Sequence, residues 1–302
     1  MLKDGAVRLR RHPKLIWCWF GLNALLALLG TIPVALGVGK IANHSLYSNS
    51  VYHGVGLMAF LELAGNPEVR LWSNLPESFL FGLVFLGGAL FLNGGILETY
   101  RVDRRVGSGE FFQACGTFFW RWVRLLIFLL VVLAPILMLA GGISKWSSRL
   151  ASDASPEKLG FWFEIAGALV IWFLMMSVRL WFDIAQVRAV AERERSMLRS
   201  TIQSLRLVLA NFGSLFWLYF RTSLVGWLGL TAGVWMWLKV PPELVGLSLL
   251  LWELVLFWWT ATRLWQKAAE TAWYQGQARA FCDEAVPPSA AFASQPCNLP
   301  AV

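Results

Sequence analysis

Charged residues are scarce in this sequence. They make up 15% of its 302 residues, whereas soluble domains carry roughly 25%, so neither an ordinary soluble domain nor a disordered chain fits. Cysteine is also sparse: four cysteines are scattered along the chain. None of them forms a CxxC or Cys/His pair with metal-ligand spacing. A disulfide-stapled secreted domain is therefore excluded.

Catalytic motifs are missing as well. The sequence has only three histidines, and it contains no HExxH, GxSxG, Walker A or GxGxxG pattern. A surface metal site formed by His44, His53 and Glu62 is conceivable, but an ordinary loop is the favoured interpretation. We therefore expect no enzyme activity, no catalytic residue, no metal and no cofactor.

Apolar residues are abundant instead. They make up 57% of the chain, with 18 tryptophans and 21 phenylalanines. A membrane helix needs about 20 mostly apolar residues. Six stretches meet this requirement: Leu15–Val38, Phe79–Leu97, Leu125–Gly142, Phe161–Phe182, Leu215–Leu238 and Leu244–Leu264. The sequence predicts an all-α, polytopic bundle of six transmembrane helices, a single membrane domain over residues 1–280, and a disordered cytoplasmic tail over 281–302.

The flanks of the six spans set the orientation. The ends on one side carry 17 Lys and Arg residues, and those on the other side carry six. The positive-inside rule then places both termini in the cytoplasm. Tryptophans cluster at the span ends, as in an aromatic belt. The net charge of +8 is interpreted as a signal for topology and anionic lipid, and no nucleic-acid partner is expected.

Amphipathic stretches precede the first, third and fifth spans, which suggests three copies of one hairpin unit. Before the fifth span, four arginines fall within about 20° of one line if residues 187–209 form a single helix. They are Arg188, Arg195, Arg199 and Arg206. We expect an interfacial helix whose guanidinium groups reach cytoplasmic lipid head groups. A helix that docks a protein partner has the same pattern, so that alternative stays open.

Polar residues inside the predicted spans are candidates for function. Glu253 lies near the middle of the sixth span, and Asn23 has a similar depth in the first. A hydrogen bond between them would satisfy both, either as a proton or substrate site or as interhelical glue. Arg221 in the fifth span could reach Glu253 or the cytoplasmic surface. Arg179 and Asp183 are spaced to form an i, i+4 ion pair.

Three segments carry a resemblance to a known group: RLRRHPKLIW, RVDRRVGSGEFFQACGTFFWRW and RSTIQSLRLVLANFGSLFW. The layout is similar to uncharacterised bacterial six-helix membrane proteins, and to the membrane domains sometimes fused to glycerophosphodiester phosphodiesterases. The resemblance implies a location in the bacterial inner membrane. It implies no hydrolase activity, because no catalytic domain is attached.

Three functional classes follow. The favoured one is a non-enzymatic membrane component, either an accessory subunit or a protein that organises envelope or lipid. The second is a small transporter that uses an intramembrane carboxylate, and the third is a membrane enzyme. The expected partners are membrane lipids, with anionic head groups on the cytoplasmic side; a protein partner in the membrane is the alternative.

Overall fold

The structure, a computed structural model, describes residues 2–44, 75–104, 106–153, 158–193, 196–241 and 244–285. In these ranges the chain forms helices and no strands. The helices are α1 Leu2–Arg11, α2 Pro13–His44, α3 Leu75–Val102, α4 Ser108–Asp153, α5 Lys158–Ala191, α6 Met197–Ala210, α7 Phe212–Trp237 and α8 Val245–Ala285. The predicted all-α class is confirmed for the described chain.

Each of the six predicted spans coincides with one long helix. Among the described residues, five segments are long and apolar enough to cross a membrane: Pro13–Ile32, Phe79–Val102, Ser108–Ser147, Trp162–Ala191 and Val245–Ala278. This is the pattern of a multi-pass membrane protein. α7 lies outside this set. It contains one charged residue, Arg221, and four tryptophans.

The helix boundaries differ from the sequence expectation at α4 and at α8. The amphipathic stretch before the third span is not a separate helix, because α4 runs unbroken for 46 residues. A straight helix of that length is about 69 Å long, far more than a bilayer core needs. α8 continues to Ala285, so the first five residues of the predicted disordered tail, 281–285, are helical. The rest of that tail, and the surface helix expected near residues 55–63, lie outside the described residues.

The first and third hairpin copies share one local form. α1 ends at Arg11 and α2 begins at Pro13, and in the same way α6 ends at Ala210 and α7 begins at Phe212. In both places a short helix is separated from a long apolar helix by a single residue, His12 or Asn211. The second copy has no such break, since α4 is continuous.

The chain divides into two compact units. The first unit contains Met1–Arg8, Gly94–Arg221 and Gln266–Val302. Its core is formed by the C-terminal parts of α3, α5 and α8 and by the N-terminal part of α4. The fully buried large side chains there include Tyr100, Trp122, Ile184 and Trp273. α4 packs on α5, and α5 packs on α6.

The second unit contains Leu9–Asn93 and Thr222–Trp265. It is apolar on its outside: Leu83, Leu249 and Leu250 are more than half exposed. α7 and α8 approach closely inside it, where the Trp258 indole Nε1 donates a hydrogen bond of 3.2 Å to the carbonyl of Val225. In water such an apolar surface would be unfavourable, whereas lipid covers it without cost.

Candidate functional site

α6 buries small and polar side chains and exposes large apolar ones, which is the opposite of a helix in a soluble protein. Its buried face consists mainly of small and polar side chains: Met197, Ser200, Thr201, Ser204 and Val208. Its outward face carries large apolar side chains, with Leu198 53%, Ile202 56% and Leu209 65% exposed. A soluble helix shows the reverse, since it buries its large apolar residues.

Small side chains allow α6 to lie close to α5. The Ser200 hydroxyl donates to the carbonyl of Ala185 at 3.4 Å, and the Trp181 indole donates to the carbonyl of Thr201 at 2.8 Å. The hydroxyls of Thr201 and Ser204 bond to carbonyls one turn back in α6. Because the buried hydroxyls have partners, the polar face can pack inside the unit. The opposite face, which carries Leu198, Ile202 and Leu209 and is called the leucine face below, then points outward.

The three arginines of the predicted row that the structure describes do not share one helix face. Arg188 belongs to α5 and is 5% exposed, with its Nε 3.1 Å from Glu192 Oε2. A head group cannot contact a side chain buried in this way, so Arg188 departs from the expected role. Arg199 and Arg206 lie on α6, are exposed, and stand together along one edge of the face that carries Leu198, Ile202 and Leu209. Arg195 lies outside the described residues. The prediction of one continuous arginine row is wrong because α5 ends at Ala191 and α6 begins only at Met197.

A hollow of about 310 Å³ lies between α4 and the start of α6. Its wall combines one charged side chain, Arg124, with apolar Ile127, Phe128, Met197 and Leu198. The mixture of one guanidinium with an apolar surface matches the junction between a lipid head group and its acyl chain. The hollow adjoins the outward face of α6, so the two features form one candidate lipid-binding face.

The first unit also contains a polar cluster that sequence reasoning missed. Glu270 is 0% exposed; its Oε1 accepts a hydrogen bond of 2.8 Å from Gln266, and its Oε2 has no partner among the described residues. The charges that act on it belong to Asp183, Lys267 and Arg179. The expected Arg179–Asp183 ion pair is present at 3.9 Å.

A second buried contact ties α8 to the end of α5. The Tyr274 hydroxyl donates to Glu192 Oε1 at 2.5 Å, while Glu192 Oε2 accepts from Arg188. Residues 266–274 follow the predicted sixth span, and the positive-inside rule places them in a cytoplasmic flank. The available signal was their composition, since alanines and aromatic residues recur at helical spacing in AAETAWY.

The three intramembrane candidates are not brought together. Glu253 is exposed on α8 and Asn23 is half-buried on α2, and the described chain contains no hydrogen bond between them. The guanidinium carbon of Arg221 lies 4.7 Å from the ring centroid of Trp217, one turn earlier in α7. This cation–π contact gives Arg221 a local partner other than Glu253.

The described residues contain no group of three or more His, Cys, Asp or Glu side chains that could hold a metal ion. In the comparisons with known proteins, no family model, no curated protein and no solved structure matches the chain. The arrangement of its own residues is therefore the basis for the functional argument.

Proposed function

We propose that the protein is a non-enzymatic, multi-pass component of the bacterial inner membrane that binds anionic lipid at the cytoplasmic face. It has six spans, with α7 as the fifth, and both termini in the cytoplasm. The excess of Lys and Arg on that side and the resemblance to bacterial six-helix membrane proteins support the orientation and the location.

The observation that carries the proposal is the inverted face of α6. Leu198, Ile202 and Leu209 point away from the unit to which α6 belongs, so they need an apolar partner from outside the described chain. Arg199 and Arg206 lie at the edge of that face, where guanidinium groups meet lipid phosphates. The surface of an anionic bilayer offers both environments: acyl chains for the large apolar side chains and phosphates for the two arginines.

Single cysteines on α6 test this arrangement. In a chain whose four native cysteines are replaced by serine, Ile202→Cys reports on the leucine face, and Ala210→Cys reports on an exposed position about 80° away around the helix. Each is labelled with an environment-sensitive fluorophore in vesicles that contain brominated lipid. We expect strong quenching at position 202 and weaker quenching at position 210. Equal quenching at both positions would contradict insertion of the leucine face.

The lipid preference has a separate test. The double variant Arg199→Gln/Arg206→Gln is compared with Lys145→Gln. This control removes a cation from the C-terminal part of α4, away from Arg124 and the α6 face. Native mass spectrometry of protein extracted with phosphatidylglycerol and phosphatidylethanolamine counts the retained lipids. We expect the double variant to retain less phosphatidylglycerol and the control to be unchanged. The same measurement detects a protein partner, which would instead assign α6 to docking.

Transport is a second candidate, favoured by carboxylates within apolar helices. Glu253 occupies a predicted span, and Glu270 is buried with one oxygen unpartnered in the described chain. If transport is the function, Glu253→Gln in reconstituted vesicles folds normally and abolishes a proton-coupled flux. If Glu253 serves packing alone, the variant changes only thermal stability.

A further inference from the structure

Arg124 carries a guanidinium that has no partner in the described part of the chain. It is exposed on α4, and it forms no hydrogen bond, ion pair or ring contact with a described residue. Other arginines nearby differ: Arg121, one turn earlier, lies over the Phe118 ring, and Arg101 pairs with Glu98. A cation at the edge of an apolar helix segment favours a counter-charge, and for Arg124 this charge has to come from another molecule.

The position of Arg124 in α4 matches the border between lipid head groups and acyl chains. It directly precedes Leu125, the first residue of the predicted third span. Ile127 and Phe128 follow three and four residues later, so they share the helix face of Arg124 and lie about 4.5–6 Å further along the axis. Ile127 is 56% exposed. This face of α4 therefore changes from a cation to an apolar surface within one helical turn.

The start of α6 completes the hollow of about 310 Å³ that adjoins this face. Ser196, Met197 and Leu198 contribute to its lining. Met197 is buried in the first unit, whereas Leu198 is 53% exposed. The volume lies at the small end of the range for ligand sites. It suits part of one acyl chain better than a whole lipid with two chains.

The described lining of the hollow contains one charged group, the Arg124 guanidinium, and no carboxylate. Apart from Ser196, the other lining residues are apolar. An inorganic anion would pair with Arg124 but leave the apolar wall in contact with water, and a plain hydrocarbon would leave Arg124 without a counter-charge. An anionic group that carries a flexible apolar tail satisfies both parts of the lining.

We propose that this hollow binds a single anionic phospholipid, with its phosphate at Arg124 and one acyl chain along Ile127, Phe128 and Leu198. The inference rests on the proposed function, and it adds a defined site to it. The leucine face of α6 meets the bilayer surface as a whole, whereas the hollow holds one molecule between α4 and α6. Such a lipid is a stoichiometric ligand that stays with the protein when the surrounding bilayer is removed.

The first test compares two one-chain lipids that have the same acyl chain, using the full protein in detergent. Lysophosphatidylglycerol carries the phosphate, and monoacylglycerol lacks it. Native mass spectrometry at increasing lipid concentration gives an affinity for each. Arg124→Gln is expected to weaken lysophosphatidylglycerol binding about tenfold, the effect of one lost charge-assisted hydrogen bond. Its affinity for monoacylglycerol should not change, and that result would exclude misfolding as the cause.

A second variant tests the part of the hollow that takes the acyl chain. Ser196 is the N-cap residue of α6, but its side chain makes no capping hydrogen bond, so Ser196→Phe breaks no such bond. The phenylalanine ring would fill space that the acyl chain needs, and we expect weaker binding of both lipids. Lys145→Gln is the control. It removes a cation from the C-terminal part of the same helix and should leave both affinities unchanged.

Three results would overturn the proposal. They are an unchanged affinity of Arg124→Gln for lysophosphatidylglycerol, an equal loss of both lipids in that variant, and no effect of Ser196→Phe on either lipid. The double variant Arg199→Gln/Arg206→Gln separates this failure from that of the proposed function. If the double variant retains less phosphatidylglycerol but Arg124→Gln binds lysophosphatidylglycerol normally, the leucine face binds lipid and the hollow does not. If neither variant loses lipid, both proposals are wrong.

Discussion

The contact between α1 and α8 gives a sharp prediction about packing. A methyl group added at Gly5 would lie 2.8 Å from the Cα, Cβ and N atoms of Ala269. Two of these atoms are backbone and Ala269 is 0% exposed, so no rotamer change relieves the clash. Gly5→Ala therefore separates the helices at a cost of about 1–3 kcal/mol. Alanine also favours the helical state over glycine by about 1 kcal/mol, which offsets part of that cost.

Gly276→Ala is the control that separates the cost of the steric clash from the gain in helix propensity. Gly276 also lies in a helix, α8, but a methyl group there meets nothing within 4 Å. Both variants gain the same preference, so the difference between their free energies of unfolding is the clash alone, about 1–3 kcal/mol. Thermal unfolding in detergent is the assay, and Gly276→Ala should have the higher Tm. Equal Tm values would refute the close approach of α1 and α8.

The remaining predictions concern buried polar groups, and each is measured by unfolding in detergent. Trp181→Phe loses the hydrogen bond to the Thr201 carbonyl and should cost about 1 kcal/mol; an unchanged stability would contradict that bond. Glu270→Gln keeps an acceptor for Gln266 and should stay within about 1 kcal/mol of the parent chain, whereas Glu270→Ala leaves a cavity and should cost about 2–4 kcal/mol. Arg188→Met leaves the Glu192 carboxylate without its ion pair and should cost about 3 kcal/mol; a neutral result would show that Arg188 is not buried in that pair.

The long helices were predictable because hydropathy and length constrain them strongly. Every predicted span falls on one helix, since a run of some 20 apolar residues has few alternatives to a helix in lipid. The ion pair of Arg179 with Asp183 was predictable for a similar reason, because it depends only on the spacing within one helix.

The helix ends were harder to predict, and the candidate site depends on them. Residues 187–209 were treated as one helix, but α5 ends at Ala191 and α6 begins at Met197. No proline or glycine marks the break, and the intervening segment ERERS reads as a charged helical face. That one break removes Arg188 from the arginine row and buries it beside Glu192.

The polar cluster around Glu270 was missed because burial at the ends of long helices is a tertiary property. Positions 266–274 are buried by packing between helices that are far apart in sequence, and hydropathy reports only their local composition. An outward apolar face on α6 was expected from the sequence, whereas the packing of its small polar residues against α5 was not. The amphipathic pattern of α6 was visible in the sequence, but only the tertiary structure shows what its polar face packs against.

The six-span topology depends most directly on α7. Single cysteines on either side of α7, Ala210→Cys at the end of α6 and Leu238→Cys directly after α7, are introduced into the chain without native cysteines. Both positions are exposed in the structure. A membrane-impermeant thiol reagent is applied to intact cells and to inverted vesicles. If α7 crosses the membrane, Leu238→Cys is labelled in cells and Ala210→Cys only in inverted vesicles. Labelling of both cysteines from the same side would contradict six spans and the placement of both termini in the cytoplasm.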